Sequence, residues 1–216
     1  MKRILTKTDM LIDIHTHHYP PKSYPAIYNL TFEMAEEILS TKEKGLFSTG
    51  IHPWYAHECS EEKMLRLEKW LNDEQIIAIG ECGLDKHAKA TLKEQHEIFE
   101  RQIIISEQLQ KPLIIHCVGC FNELLQIRKQ LIPKQLWIIH GFRGKPQLTE
   151  QLLCAGCTLS FGEKFNSESV RVAPLDRLFT ETDKSNEPIE AICRRIADVK
   201  KCTVDDLSVG KEYFFR

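Results

Sequence analysis

What the chain has little of narrows the possibilities first. Its charges nearly cancel, with 29 Lys and Arg against 31 Asp and Glu for a formal net charge of −2. That removes the simplest basis for nucleic-acid attraction, a strongly basic domain, so any polyanion must be drawn in locally. Glycine and proline are sparse, 10 and 9 in 216 residues. Low-complexity and linker-like architectures are thereby excluded, and no internal repeat or shift in composition marks a second domain. No segment approaches the roughly 20 apolar residues of a membrane span. The charged start over 1–9 leads into no apolar run of signal-peptide length. These absences predict one globular domain over 1–216, no membrane association and a cytoplasmic location, with the eight cysteines as reduced thiols.

What is present is an alternation. Short β-branched or apolar runs at 10–14, 26–30, 45–49, 76–80, 113–116, 136–140, 157–161 and 178–182 are each bounded by polar or turn residues and read as strands. The later ones, such as Leu113-Ile114-Ile115 and Leu136-Trp137-Ile138-Ile139, are continuously apolar, which suits parallel strands covered on both faces. Between them, Met64, Leu67 and Leu71, then Leu92, His96, Phe99, Ile103 and the Ser106/Leu109 region, then Leu124, Ile127 and Leu131 repeat at helical period. Eight strands alternating with helices predict an α/β fold, a (β/α)8 TIM barrel. Pro20, Pro21 and Pro25 leave no room for a crossover helix after the first strand, so the barrel should be distorted, with an abbreviated first β/α unit.

The chemistry sits at strand ends. Asp13-Ile14-His15-Thr16-His17 closes the first strand, and alternation puts His15 and His17 on one face about 6.6 Å apart along the chain, close enough to grip one cation. Two solvated turn histidines would read the same way. The same kind of residue recurs, however, at other carboxyl-terminal strand ends: Glu81, His116, His140 and Asp183. In a parallel barrel all these ends converge on one face, where such folds build their active sites. Four histidines and two carboxylates gathered there are a costly burial of polar groups unless a divalent cation pairs them.

Taken in order, Asp13-Ile14-His15-Thr16-His17, Gly50-Ile51-His52-Pro53, Gly80-Glu81-Cys82-Gly83-Leu84-Asp85, Ile115-His116-Cys117, His140-Gly141-Phe142 and Glu181-Thr182-Asp183 resemble the ordered motifs of the TatD family of metal-dependent deoxyribonucleases, within the amidohydrolase-like TIM barrels. The resemblance spans nearly the whole chain and implies two divalent cations, Mg2+, Mn2+ or Zn2+. It implies that His15, His17, Glu81 and Asp183 hold one, that Glu81, His116 and His140 hold the second, and that Glu81 bridges them. Six ligands with one shared fit two ions about 3.5 to 4 Å apart. Asp183 and Glu81 are then the catalytic residues, Asp183 as the base for a water that attacks phosphorus. DNA or another phosphodiester is the implied substrate, and no protein partner is evident. Asp13 is expected to orient a ligating histidine or its backbone.

Two further residues are candidates for substrate binding, His52 in its resembling motif and Arg143 three residues beyond His140, the latter as a bidentate phosphate clamp. The bland alternatives are a loop histidine beside a proline and an exposed loop arginine. Cys117/Cys120 and Cys154/Cys157 form two CxxC pairs, but the fold places them at opposite ends of the barrel, so they read as packing thiols, with Cys117 the one exposed to oxidation beside the metals. The stretch 194–201 reads as the solvated face of a helix. The chain departs from the resembling pattern in its short 18–49 segment and in Lys184-Ser185-Asn186-Glu187-Pro188 after Asp183, which bear on substrate contacts. The same dinuclear site would also suit an amide or ester hydrolase or deacylase, although such enzymes commonly bridge their metals with a carboxylated lysine where Glu81 stands. A metal-binding interaction protein without catalysis is the third reading, and it would be expected to have lost some of the six ligands.

Overall fold

The computed structural model describes residues 11–18, 24–41, 44–208 and 213–214. Eight parallel strands follow one another around a single sheet in chain order: β1 (Asp13–Thr16), β2 (Ala26–Leu30), β3 (Leu46–Thr49), β4 (Ile76–Asp85), β5 (Leu113–Val118), β6 (Trp137–Ile139), β7 (Thr158–Phe161) and β8 (Leu178–Thr180). Seven helices alternate with them on the outside: α1 (Phe32–Thr41), α2 (Glu61–Leu71), α3 (Leu92–Leu109), α4 (Phe121–Leu131), α5 (Pro146–Cys154), α6 (Ser167–Val172) and α7 (Ile189–Lys200). Most of the connection between β1 and β2, where the prolines predict no crossover helix, lies outside the described residues, at 19–23. The seam between first and last strands is closed at the carboxyl-terminal mouth. There Thr16 bridges Asp183, the His17 N–H donates to the Asp183 carbonyl (3.0 Å) and the Asp183 N–H to that of His15 (2.9 Å).

Inward-facing residues fill the barrel. Ile14, Ile27, Ala78, Ile114, Ile138 and Phe179, one from each of six strands, pack together, and Phe214 covers them at the lower end with its ring 5.6 Å from that of Phe179. A larger apolar layer between sheet and helices includes Phe47, Leu67, Phe99, Trp137 and Phe161.

Strand bounds depart from the sequence expectation in two places that matter. The first strand covers Asp13–Thr16 rather than 10–14, whose first residue lies outside those described. The fourth runs on from Gly80 to Asp85, so that Glu81 lies within the strand and not after it. Glycine makes this possible: a Cβ on Gly80 (φ +156°) would overlap the Ile114 carbonyl oxygen, and one on Gly83 (φ +126°) that of His116, so only glycine lets β4 lie this close to β5. The inner face of α3 also differs. Phe99, Ile103 and Ser106 are buried as expected, but Leu92 is exposed and His96 half-buried, and Gln95 and Gln102 are buried in addition.

Candidate metal centre

Strand alternation alone accounts for two of the site residues. Ile114 and Ile138 face inward, so His116 and His140, two residues on, do so too. His15 and Glu81 stand one and three residues from inward-facing Ile14 and Ala78, and strict alternation would turn both outward. Register shifts between Asp13 and Thr16 and between Ile79 and Cys82 re-aim them into the mouth.

There Glu81, 8% exposed, occupies the middle. His140 Nε2 lies 2.9 Å from its Oε1, while His15 Nε2, His52 Nε2 and His116 Nδ1 are each 3.8 Å from it; His17 Nε2 is 3.2 Å from Oε2. Asp183 Oδ1 is 3.8 Å from His15 Nε2 and 3.5 Å from His17 Nε2. All six expected ligands meet in one place, and His52 joins them. Ligand atoms lie within 4.8 Å of one another in four sets: His15, His17 and Asp183; His15, Glu81 and His140; His52, Glu81 and His116; and His140, Glu181 and Asp183. These distances group His116 with His52, where the resemblance groups it with His140.

Neighbouring acceptors fix what each ring presents. His116 Nε2 is 3.0 Å from Asp85 Oδ2, and His140 Nδ1 is 3.4 Å from Glu181 Oε1. A carboxylate can only accept from a ring nitrogen, so His116 turns the lone pair of Nδ1 toward Glu81, and His140 would present that of Nε2 once a cation displaces the proton held between it and Glu81. His52 is arranged the other way. Its Nδ1 accepts the Trp54 N–H at 3.1 Å, capping the 3-10 turn Pro53–Glu58. Burial pushes its pKa down to about 3, so the ring is neutral and carries its proton on Nε2, a donor and not a ligand in this arrangement.

The electrostatics are those of a site built around a cation. Burial disfavours charge on Glu81, yet His140, His17 and His15 overcome it and hold the carboxyl well below its ordinary range. Burial likewise opposes charge on His140, but Glu181 and Glu81 on either side raise it well above the usual imidazole value. Burial, then the nearby His140 charge, lowers His15 and His116. Both ring nitrogens of His15 and the Nε2 atoms of His17 and His140 are shut from solvent without a hydrogen-bond partner; the 2.9 Å approach of His140 to Glu81 is out of line for one. The three orphaned Nε2 atoms, each within 4 Å of a Glu81 carboxylate oxygen, fit a divalent cation.

The residues that hold this cluster were mostly not visible in the sequence. Asn29 on β2 accepts the Glu81 N–H at 2.8 Å and donates to Glu81 Oε2 at 3.2 Å, fixing both ends of that residue. Gln102 embraces the backbone of Ile51, next to His52, with Oε1 to its N–H (2.8 Å) and Nε2 to its carbonyl (3.1 Å). Gln95 does the same for Asp85, at 2.8 and 3.0 Å. Asp85 in turn accepts from Trp54 Nε1 (2.7 Å), joining the indole at the rim to His116. Glu181 Oε1 accepts the Gly141 N–H at 2.7 Å. Asp13 acts mainly on backbone, accepting the Thr182 N–H (3.0 Å) and hydroxyl (2.6 Å), with a longer contact from the His15 N–H (3.4 Å).

Arg143 is exposed and lines, with Asp183 and Lys184, a cleft of about 150 Å³ on one side of the centre. On the other side a cavity of about 330 Å³ joins His17, His52 and Glu81 to Phe32, Trp54 and Lys63. The eight cysteines are free thiols, and among the described residues no potential metal cluster includes one. Burial raises the Cys117 thiol far above its ordinary value, which keeps it protonated and removes the expectation of an oxidation-prone site.

An eight-stranded parallel barrel whose mouth gathers histidines and carboxylates in this way defines a class, the metal-dependent hydrolase barrels. Within it, the chain belongs to the TatD-related DNase family, whose model matches residues 24–209. It is 36% identical over 146 residues to the human 3'-5' RNA nuclease TATDN2, a match covering 62% of this chain and 19% of that protein. It is 31% identical over 147 residues to the 3'-5' ssDNA/RNA exonuclease TatD of Erwinia tasmaniensis, covering 63% of this chain and 56% of the relative. The matched part of the chain thus spans little more than half of the second relative and far less of the first. Among solved structures, the TatD homologue YJJV of Escherichia coli K12 superposes with a TM-score of 0.79 over 95% of both chains at 17% identity, a likeness of fold.

Proposed function

We propose that this chain, as one hydrolase domain over 1–216, is a divalent-metal-dependent phosphodiesterase that cuts nucleic acid. The observation that carries this is the Glu81-centred cluster, with its orphaned imidazole nitrogens and its tautomers fixed by Asp85 and Glu181. His15, His17, Glu81 and Asp183 would hold one cation, and Glu81, His116 and His140 a second. When bound, the cations supply Lewis acidity toward phosphoryl oxygens and lower the pKa of a water toward neutrality.

The remaining chemistry falls to side chains. Asp183 is the base that takes the water proton, because its side chain is 28% exposed while that of Glu81 is 9% exposed, and a base must be reached by the water it deprotonates. The His52 Nε2–H donates to a phosphoryl oxygen. Arg143 and Lys184 line one flank as phosphate contacts, and the exposed Trp54 on the other flank offers a face for an unpaired base. The names of the nuclease relatives support a single-stranded DNA or RNA substrate. A glutamate carboxylate in the bridging place supports phosphoester over amide chemistry. Eight free thiols support a reducing, cytoplasmic setting, and no helix of the described residues is long and apolar enough to cross a membrane.

The test is hydrolysis of bis-p-nitrophenyl phosphate and of single-stranded DNA and RNA, with and without chelator, alongside metal content. Chelator-sensitive cleavage is expected, with a drop of about 10²-fold or more in Asp183→Asn. Two bound cations with no phosphodiesterase activity under Mg2+, Mn2+ or Zn2+ would defeat the reading.

A further inference from the structure

At the opposite end of the barrel, where strands begin, lies a cavity of about 320 Å³ lined by Arg128, Lys134, Gln135, Gly156, Arg177 and Tyr213 among others. Three cations line it and, among the described residues, no carboxylate does. Glu107, whose charge reaches Arg128, spends its Oε1 on the backbone N–H groups of Lys134 and Gln135.

The two guanidinium groups are fixed in advance. Arg128 stacks over the Trp137 ring at 4.9 Å and donates from Nε to the Ala155 carbonyl and from Nη2 to that of Gly156 (2.9 Å). Its Nη1 is shut from solvent with no hydrogen-bond partner. Gly156, at φ +85°, shapes the cradle, since a Cβ there would come within 2.8 Å of Arg128 Nη2. Arg177 is anchored through Nε to Thr158 Oγ1 (3.2 Å) and Nη2 to the Cys157 carbonyl (2.7 Å), and its charge bears on Arg128. Carbonyl groups orient both guanidiniums without neutralising either. Two like charges held together around a cavity that no described carboxylate lines form a preorganised receptor for an anion, and the planar donors match a phosphoryl group.

We propose that this cavity binds a phosphate-type oxyanion, gripped by Arg177 and Lys134 with Arg128 supplying charge from the floor. This site is separate from the metal centre and independent of the nuclease reading. Calorimetric titration of inorganic phosphate into the full chain, chelator-treated and desalted so that the metal centre contributes nothing, is expected to show one saturable site. Arg177→Gln and Lys134→Gln should each weaken it about tenfold. Lys134 is exposed and engages Glu107 only through its backbone N–H, so its replacement keeps the fold. A second arm with adenosine 5'-monophosphate distinguishes the sources: tighter binding than phosphate assigns the cavity to a phosphate monoester, and equal or weaker binding to the inorganic ion. Absence of saturable phosphate binding, or binding untouched by both substitutions, overturns the proposal.

Discussion

Two polar side chains outside the six candidate ligands carry much of the site's geometry. Asn29 grips Glu81 at its backbone N–H and at Oε2, and Asp85 sets the tautomer of His116 while holding the Trp54 indole. Neither is placed to touch a cation, so both act through the residue they orient, and loss of such a partner typically costs 10–100-fold in metal affinity. Asn29→Ala and Asp85→Asn are each expected to weaken divalent-metal binding by roughly that factor in a competition titration. The two variants should differ in stoichiometry. Asn29→Ala loosens the shared carboxylate and weakens both cations, whereas Asp85→Asn releases His116 alone and weakens one. A uniform loss in both variants would show that His116 and Glu81 are not separable in this way.

At the scale of elements, β4 is the strand on which the centre depends, and its two glycines are its means of reaching it. Adding a methyl group at Gly83 would drive it into the His116 carbonyl at a φ of +126°, so Gly83→Ala should cost roughly 2–4 kcal/mol in urea unfolding. The barrel and all six convergent residues were legible in the sequence, because strand ends in a parallel barrel share one face wherever each strand stops. Aim was not legible: His116 and His140 follow simple alternation, but His15 and Glu81 enter the mouth through register shifts that no hydrophobic period encodes. The face of α3 was misjudged for a related reason. Helical spacing carried the stripe through Leu92 and His96 and passed over polar residues, whereas buried Gln95 and Gln102 spend their amides on the backbones of Asp85 and Ile51. Replacing Gln102 by leucine would leave the Ile51 N–H unmet and cost about 1–3 kcal/mol, read in the same unfolding experiment, with His52 displaced in consequence.

Across the whole molecule, the weakest line is the seam between β1 and β8, and the candidate ligands straddle it. His15 and His17 belong to one side and Asp183 to the other, and the backbones meet, among the described residues, at the Thr16 to Asp183 bridge and its two hydrogen bonds. A cation shared by these residues would staple the barrel closed. At one hundred times its dissociation constant such a ligand adds about 2.7 kcal/mol, so chelation should lower Tm by roughly 5–10 °C and speed amide exchange at His17 and Asp183. The same seam has a second clasp in Asp13, which holds the Thr182 N–H and hydroxyl. Burial, opposed by those hydrogen bonds, raises its pKa from 3.8 to about 7. Between those values the folded chain holds a proton that the unfolded chain has released. The contribution of Asp13 to stability is therefore complete below about pH 4 and drains away as pH rises toward 7, with a limiting slope of about 1.4 kcal/mol per pH unit. Urea midpoints of the chelated chain and of Asp13→Asn, measured from pH 4 to 7.5, isolate this component from the histidines that titrate alongside it. The stability of the parent relative to the variant should fall steadily with pH; a difference that is flat, or that grows, would mean that Asp13 is ionised in the closed seam throughout.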